Sequence, residues 1–312
     1  MVQPALRRTC LYTVLVIFGL MILLNCFTYP SSVSAATGKR VTRSAEFIKR
    51  YWTPDRMEHA TPAGIPSKTG APPHMIEPAP VKAQEVPPAS YSSIPYAVIG
   101  KVFFTDSKTG FDYVCSGTAV ISKNKSTVDT AGHCVAQDGS KDNYYTNWMF
   151  CPQYLDGDCP KGKWAARQLF ADKTWLTASP MAVDHDYGAA VVEANNGQYL
   201  TDVVGGVAFG ANLDRKQTFH ALGYPHASPF NGKKMFECLA DKAVDDTGTP
   251  PPLGISCDLT GGSSGGGWLV QSNGTWYVNG HNDYQYTNDP NTMYSPYYGN
   301  EALAIYNSAQ AA

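Results

Sequence analysis

Three stretches of the 312-residue chain carry side chains that could do covalent chemistry. Thr130-Ala131-Gly132-His133-Cys134 places a histidine at the end of an apolar run, beside a cysteine able to staple it. An imidazole held in this way suits general-base work near neutral pH. Gly261-Gly262-Ser263-Ser264-Gly265-Gly266-Gly267 sets two hydroxyls among five glycines. Such a run is not helix or strand interior, and bare backbone can aim amide N–H groups at one point, as an oxyanion hole requires. A flexible Gly/Ser linker is the bland alternative, but the run is short and strand-like Trp268-Leu269-Val270 follows at once. Asp184-His185-Asp186 precedes the apolar Tyr187-Gly188-Ala189-Ala190-Val191-Val192. A carboxylate at such a strand start can be buried and orient a histidine through its ring N–H. Asp184 reads as a solvated turn, leaving Asp186 for that task.

These groups are far apart in sequence, so many short elements must bring them together. Ala97 to Phe104, Tyr113 to Ile121, Thr127 to Thr130, Tyr187 to Val192, Thr218 to Leu222, Trp268 to Val270 and Trp276 to Val278 are apolar runs bounded by Gly, Asp, Asn or Pro. That pattern specifies an all-β sandwich or barrel. The chain has 43% hydrophobic and 16% charged residues, which excludes a disordered polyelectrolyte. Its net charge of −2 gives no support for nucleic-acid binding. No heptad run, collagen period or 20–50-residue repeat is present.

The front end reads differently from the body. Arg7 and Arg8 precede an apolar stretch from Leu11 to Leu24, and small residues follow up to Ala35-Ala36. Residues 1–36 are therefore predicted to be a signal peptide cut after Ala35 or Ala36. The apolar core, about 14 residues, is short of the ~20 a bilayer anchor needs. A lipoprotein reading through Cys26 is disfavoured because Asn25 stands where a small residue belongs. A secreted, extracellular protein without a stable membrane anchor follows. Residues 37–90 read as a removable pro-segment and Pro-rich linker, with a short helix between Ser44 and Met57 interrupted near Pro54. Residues 1–90 carry a net +5 and residues 91–312 a net −7, a weak hint that front and body attract each other.

Six cysteines remain beyond the signal, an even number that in an exported chain implies disulfides; 15 connectivities are possible. Pairing neighbours along the chain gives Cys115–Cys134, Cys151–Cys159 and Cys238–Cys257. There is no CxxC pair and no HExxH, so neither a metal nor another cofactor is expected.

Cys-Ser-Gly-Thr-Ala-Val (115–120), the TAGHC at 130–134, the DYGAAVV at 186–192 and the GGSSGG at 261–266 resemble the motifs of trypsin-like (chymotrypsin-fold) serine peptidases. The bacterial secreted branch that includes glutamyl endopeptidases is the nearest in pattern. Gly223-Tyr224-Pro225 and Tyr51-Trp52-Thr53-Pro54-Asp55-Arg56-Met57 are similar to that branch as well. The likeness covers about residues 97–282. It implies two packed six-stranded antiparallel β-barrels in residues 91–312, with the active-site cleft between them. It also implies His133 as general base, Ser264 as nucleophile and Asp186 as the acid that orients His133. The backbone N–H groups of Gly262 and Ser264 would form the oxyanion hole, and Cys115–Cys134 would fix the base. In the pattern G-x-S-G-G only Ser264, not Ser263, is followed by the glycine pair. The activity implied is that of a serine endopeptidase, a monomer acting on proteins or peptides, with its own pro-segment as a further partner.

Some residues depart from the pattern. Asp129 stands where an apolar residue is usual, so it must face water or find a partner. Gly267 replaces the usual proline, which should loosen that turn. Ser263 replaces the Asp that pairs with a freed N-terminal amine in animal enzymes, so a pro-segment that inhibits must do so otherwise, by covering the cleft. For the substrate pocket, His281 comes one residue early to read a glutamate, and Asn282 takes that position. Asp258, six residues before Ser264, and Thr260 are the other pocket candidates. An α/β-hydrolase is disfavoured: its acid and histidine follow the serine, and only His281 does so here. A catalytically dead binding module would leave a complete triad unexplained, as would a purely wall-associated structural role.

Overall fold

A computed structural model describes residues 36–64, 66–70, 72, 81–178 and 182–312. The signal-peptide reading of residues 1–36 lies outside the described residues but for Ala36. Twelve main strands form two barrels. The first contains β1 (Ile99–Thr105), β2 (Asp112–Val120), β3 (Thr127–Ala131), β4 (Thr146–Pro152), β5 (Trp164–Asp172) and β6 (Tyr187–Val192). Antiparallel pairing runs β5-β6-β3-β2-β1-β4 and returns from β4 to β5, which closes the barrel and removes its edges. The second contains β7 (Thr218–Gly223), β8 (Phe236–Asp245), β9 (Leu253–Ser256), β10 (Gly267–Ser272), β11 (Thr275–His281) and β12 (Asp289–Ser295), ordered β11-β10-β7-β8-β9-β12. This is the chymotrypsin-like two-barrel architecture expected from the motifs.

Apolar side chains, many of them β-branched or aromatic, fill both interiors. Val102, Val128, Phe150, Leu169 and Val191 are buried in the first; Phe219, Ile255, Trp268, Val270 and Met293 in the second. β1 is buried along its whole length because its outer face is covered too. The cover is the front segment: the Trp52 ring lies 5.3 Å from that of Phe103, and Trp52 Nε1 donates to Asn147 O. The predicted helix in the segment is two short helices, Ala45–Tyr51 capped by Ser44 and Pro54–His59 capped by Thr53, with proline at the first position, where it costs no hydrogen bond. Residues 36–40 add an antiparallel strand to β5. The C-terminal helix Asn300–Gln310, which is not among the elements expected above, packs Ala302, Ile305 and Ala309 into the first core. All three neighbour disulfides are formed: Cys115–Cys134, Cys151–Cys159 and Cys238–Cys257.

Candidate active site

β3 ends at Ala131, and the chain makes one tight turn, Gly132–Cys134, that carries His133. The turn is held from three sides. Cys134 is bridged to Cys115 on β2, Trp148 Nε1 donates to Cys134 O at 2.9 Å, and Gly132 N–H donates to Asp186 O at 3.0 Å. Asp186 leads into β6 with its side chain fully buried. One carboxylate oxygen accepts the His133 backbone N–H at 2.7 Å; the other lies 2.7 Å from His133 Nδ1. Burial alone would raise the Asp186 carboxyl, but the facing imidazole and its hydrogen bond outweigh that and hold it below the usual range. Nδ1 is thereby fixed as the protonated nitrogen, leaving Nε2 as the basic one.

The glycine run packs against the end of β3. A Cβ on Gly265 would stand 2.1 Å from Thr130 Oγ1 and 2.8 Å from Ala131 N; one on Gly266 would stand 2.0 Å from Leu222 O. Only glycines let strands from both barrels approach the Ser264 backbone so closely. The Ser264 carbonyl accepts from Ser116 N at 2.7 Å, and Cys134 Sγ lies 3.6 Å from it, which sets Ser264 beside the histidine turn. Ser264 Oγ and His133 Nε2 are both buried, and neither has a hydrogen-bond partner among the described residues. Ser263 Oγ, by contrast, donates to Thr260 O at 2.8 Å. Gly262 has φ +99°, and a Cβ there would meet Tyr224 O at 2.8 Å and His226 Cβ at 2.9 Å. Its carbonyl is turned inward to accept from Ser116 Oγ. Among the described residues, the N–H groups of Gly262 and Ser264 have no partner.

The pocket candidates are placed differently from the triad. Asn282 is fully buried: its Oδ1 accepts from Trp268 Nε1, and its Nδ2 donates to Leu222 O and Ser263 O. It braces the serine loop from within. Asp258 accepts from Ala83 N at 2.7 Å and pairs with Lys82 at 3.1 Å, while Thr260 Oγ1 donates to Ala227 O. Asp129 found its partner in Tyr298, whose hydroxyl donates to it at 2.6 Å; burial pushes Asp129 up to about 8 against that bond. Tyr298 also meets His281 Nδ1, and burial pushes His281 down to about 3. Gly267 does not loosen its surroundings, since a Cβ there would lie 2.4 Å from Thr118 Oγ1. Ser116, which holds the serine loop through two hydrogen bonds from its hydroxyl and backbone, escaped the sequence reading although it lies within the CSGTAV motif.

No family model matches the chain, and no curated protein matches it. Solved structures do. Protease Anisep from Arthrobacter nicotinovorans is 43% identical over 69% of this chain and 96% of its own, with a TM-score of 0.63. The thermostable serine protease AL20 from an extremophilic microorganism is 38% identical over 72% of this chain and 99% of its own, with a TM-score of 0.64. A Glu endopeptidase has a TM-score of 0.59 over 74% of this chain and 97% of its own; at 19% identity that likeness concerns the fold. The chain thus belongs with Anisep and AL20 among the chymotrypsin-fold serine proteases, and it shares its fold with the Glu endopeptidase.

Proposed function

We propose that the protein is a secreted serine endopeptidase that cleaves peptide bonds through Ser264, His133 and Asp186 by way of an acyl-enzyme. The observation that carries this reading is the grip of Asp186 on His133 at 2.7 Å, beside a Ser264 hydroxyl that has no other task. Nε2 takes the Oγ proton as Oγ attacks the substrate carbonyl, and the resulting imidazolium is stabilised by Asp186. The same proton passes to the leaving amine. Water then repeats the cycle against the acyl-enzyme, and Ser264 is regenerated. An organophosphonyl reagent applied to the processed enzyme, followed by peptide mass mapping, tests the reading. One adduct on Ser264 is expected, and an unlabelled Ser264 in a reagent-resistant protein removes the proposal.

The oxyanion is assigned to the N–H groups of Gly262 and Ser264. Gly262→Ala both strains a positive φ and drives a methyl into Tyr224 O, so the loop must turn its amide away. The expected loss in kcat is about 10²–10³-fold, read on protein whose melting curve shows it folded at the assay temperature. Parent-like kcat in this variant would move the oxyanion site elsewhere.

Export is supported by the three disulfides, which suit an oxidising compartment. Within the front segment, residues 37–68 are the part assigned to removal. Thr61-Pro62 pairs with Tyr113-Val114 of β2, Ala63 N–H donates to Val114 O, and Pro62 and Ala63 pass within 4 Å of a Cβ position on Gly261. Ser67-Lys68 then pairs with Gln285-Tyr286 beside the second barrel, and Lys68 Nζ bonds Asp246 at 2.7 Å beneath the Tyr284 ring. A strap in that position excludes substrate. A cavity of about 260 Å³ next to the loop is walled by Met57 and Glu58 together with Lys101 and His226. Residues 81–90 are assigned instead to the body, because Val81, Ala83 and Val86 donate to Ser256, Asp258 and Met235 of the second barrel. A peptide of residues 45–68 is expected to inhibit the processed enzyme competitively, and Lys68→Ala to weaken it about tenfold by removing a charged hydrogen bond. Absence of inhibition, or a mode that ignores substrate concentration, sinks the strap.

A further inference from the structure

One acid near the imidazole has no part in the scheme above. Asp283 stands two residues beyond β11, fully buried, and neither of its oxygens has a hydrogen-bond donor among the described residues. Its Oδ1 lies 3.6 Å from His133 Nδ1. Ligand atoms of His133, Asp186 and Asp283 all fall within 4.8 Å of one another. The groups around it come from every neighbouring element. Asp184 and Asp186 lie before β6, His133 after β3 and His281 on β11; Lys68 belongs to the front segment. Tyr187, Tyr284 and Tyr298 also lie within electrostatic reach of it, but their hydroxyls donate elsewhere, to Tyr297 O, Asp246 and Asp129.

Two ionised carboxyl groups this close in a buried site repel, and the pair resolves by holding a proton. Asp186 keeps the charge because two N–H groups of His133 serve its two oxygens. Asp283 has no donor, so the proton rests there. We infer that Asp283 acts as a neutral carboxylic acid whose O–H faces the Asp186 carboxylate and holds it square to the imidazole. It is a positioning residue that acts through Asp186, and this role rests on the triad reading above. Burial first, and the Asp186 charge second, push the Asp283 carboxyl well above its usual range. Lys68 pulls the other way, and its departure with the front segment leaves the neutral form still more favoured.

Two experiments separate this claim from the triad itself. The first uses the full chain carrying Ser264→Ala, so that it cannot cut itself, and takes its infrared difference against the same chain with Asp283→Asn. A lost carboxylic-acid C=O stretch at neutral pH is expected; loss of carboxylate stretches overturns the inference whatever the enzyme does. The second uses active enzyme recovered from full-length expression. Asp283→Ala should lower kcat by about 10²-fold with little change in KM, since a misaligned base costs that much. Asp283→Asn, which still offers an N–H donor, should recover most of the loss. It should also leave the acid limb of the kcat/KM profile in place, because no charge has been removed. A limb displaced to lower pH by about one unit or more in the Asn variant means Asp283 was ionised, and overturns the inference. Activity that survives Ser264→Ala is the separate sign that the triad reading has failed.

Discussion

Replacing Ser264 by alanine is expected to lower turnover on casein by about 10⁶-fold, because the group that acts as a unit with His133 is gone. The fold should persist. Ser264 Oγ has no hydrogen-bond partner among the described residues, so its removal orphans none of their polar groups. The backbone at this position is held by groups that alanine keeps: its carbonyl accepts from Ser116 N, and the next N–H donates to Asn282 O. Alanine fits the same space with one polar atom fewer to bury, so melting should stay level or rise slightly. The neighbouring serine gives the contrast. Ser263→Ala removes a bond to Thr260 O and disturbs the loop without touching the nucleophile, so labelling by the organophosphonyl reagent should survive there and vanish in Ser264→Ala. Equal casein cleavage by Ser264→Ala and its parent would end the peptidase mechanism.

The proposed choice of Ser264 over Ser263 rests on glycines that the sequence displays. Gly265 and Gly266 sit where a Cβ would strike Thr130, Ala131 and Leu222, and that steric demand is written as glycine. The strands bearing the motifs were readable for a similar reason, since Tyr187–Val192 is buried throughout and reads as one apolar run. β5 and β8 gave no such run. Arg167-Gln168 in β5, and Glu237, Asp241 and Lys242 in β8, place polar groups along strands with one wet side. The C-terminal helix buries a stripe at helical spacing, Ala302, Ile305 and Ala309, but two of the three are alanines, so the stripe is faint in the sequence and packing against the first barrel makes it helical. The charge asymmetry between front and body is realised as pairs of Arg56 with Asp112, Lys68 with Asp246 and Lys82 with Asp258. Their partners are set by topology alone. The same holds for Asp129, which looked misplaced because Tyr298, 169 residues away, cannot be paired with it by any local pattern.

Asp186→Asn carries the second large expectation, a fall of about 10⁴-fold in kcat. Both oxygens of Asp186 accept, one from the His133 backbone N–H and one from the ring. An amide keeps only one acceptor. If that oxygen serves the backbone, the NH₂ group faces Nδ1, and the ring must move its proton to Nε2 to accept from it. Nε2 is then protonated and cannot take the Ser264 proton, although the geometry is unchanged. If the amide turns the other way, the ring keeps its tautomer but the turn Gly132–Cys134 loses an anchor, and the imidazolium still loses its counter-charge. Either orientation harms kcat rather than KM, since neither touches bound substrate. Asp184 supplies the control. Its Oδ2 accepts from Thr249 N–H at 3.0 Å, an acceptor that asparagine retains, and it makes no bond to His133. Asp184→Asn should therefore lie within a few-fold of the parent. Steady-state kinetics on one peptide substrate settle the matter: equal losses in the two variants would remove Asp186 from its place behind the ring.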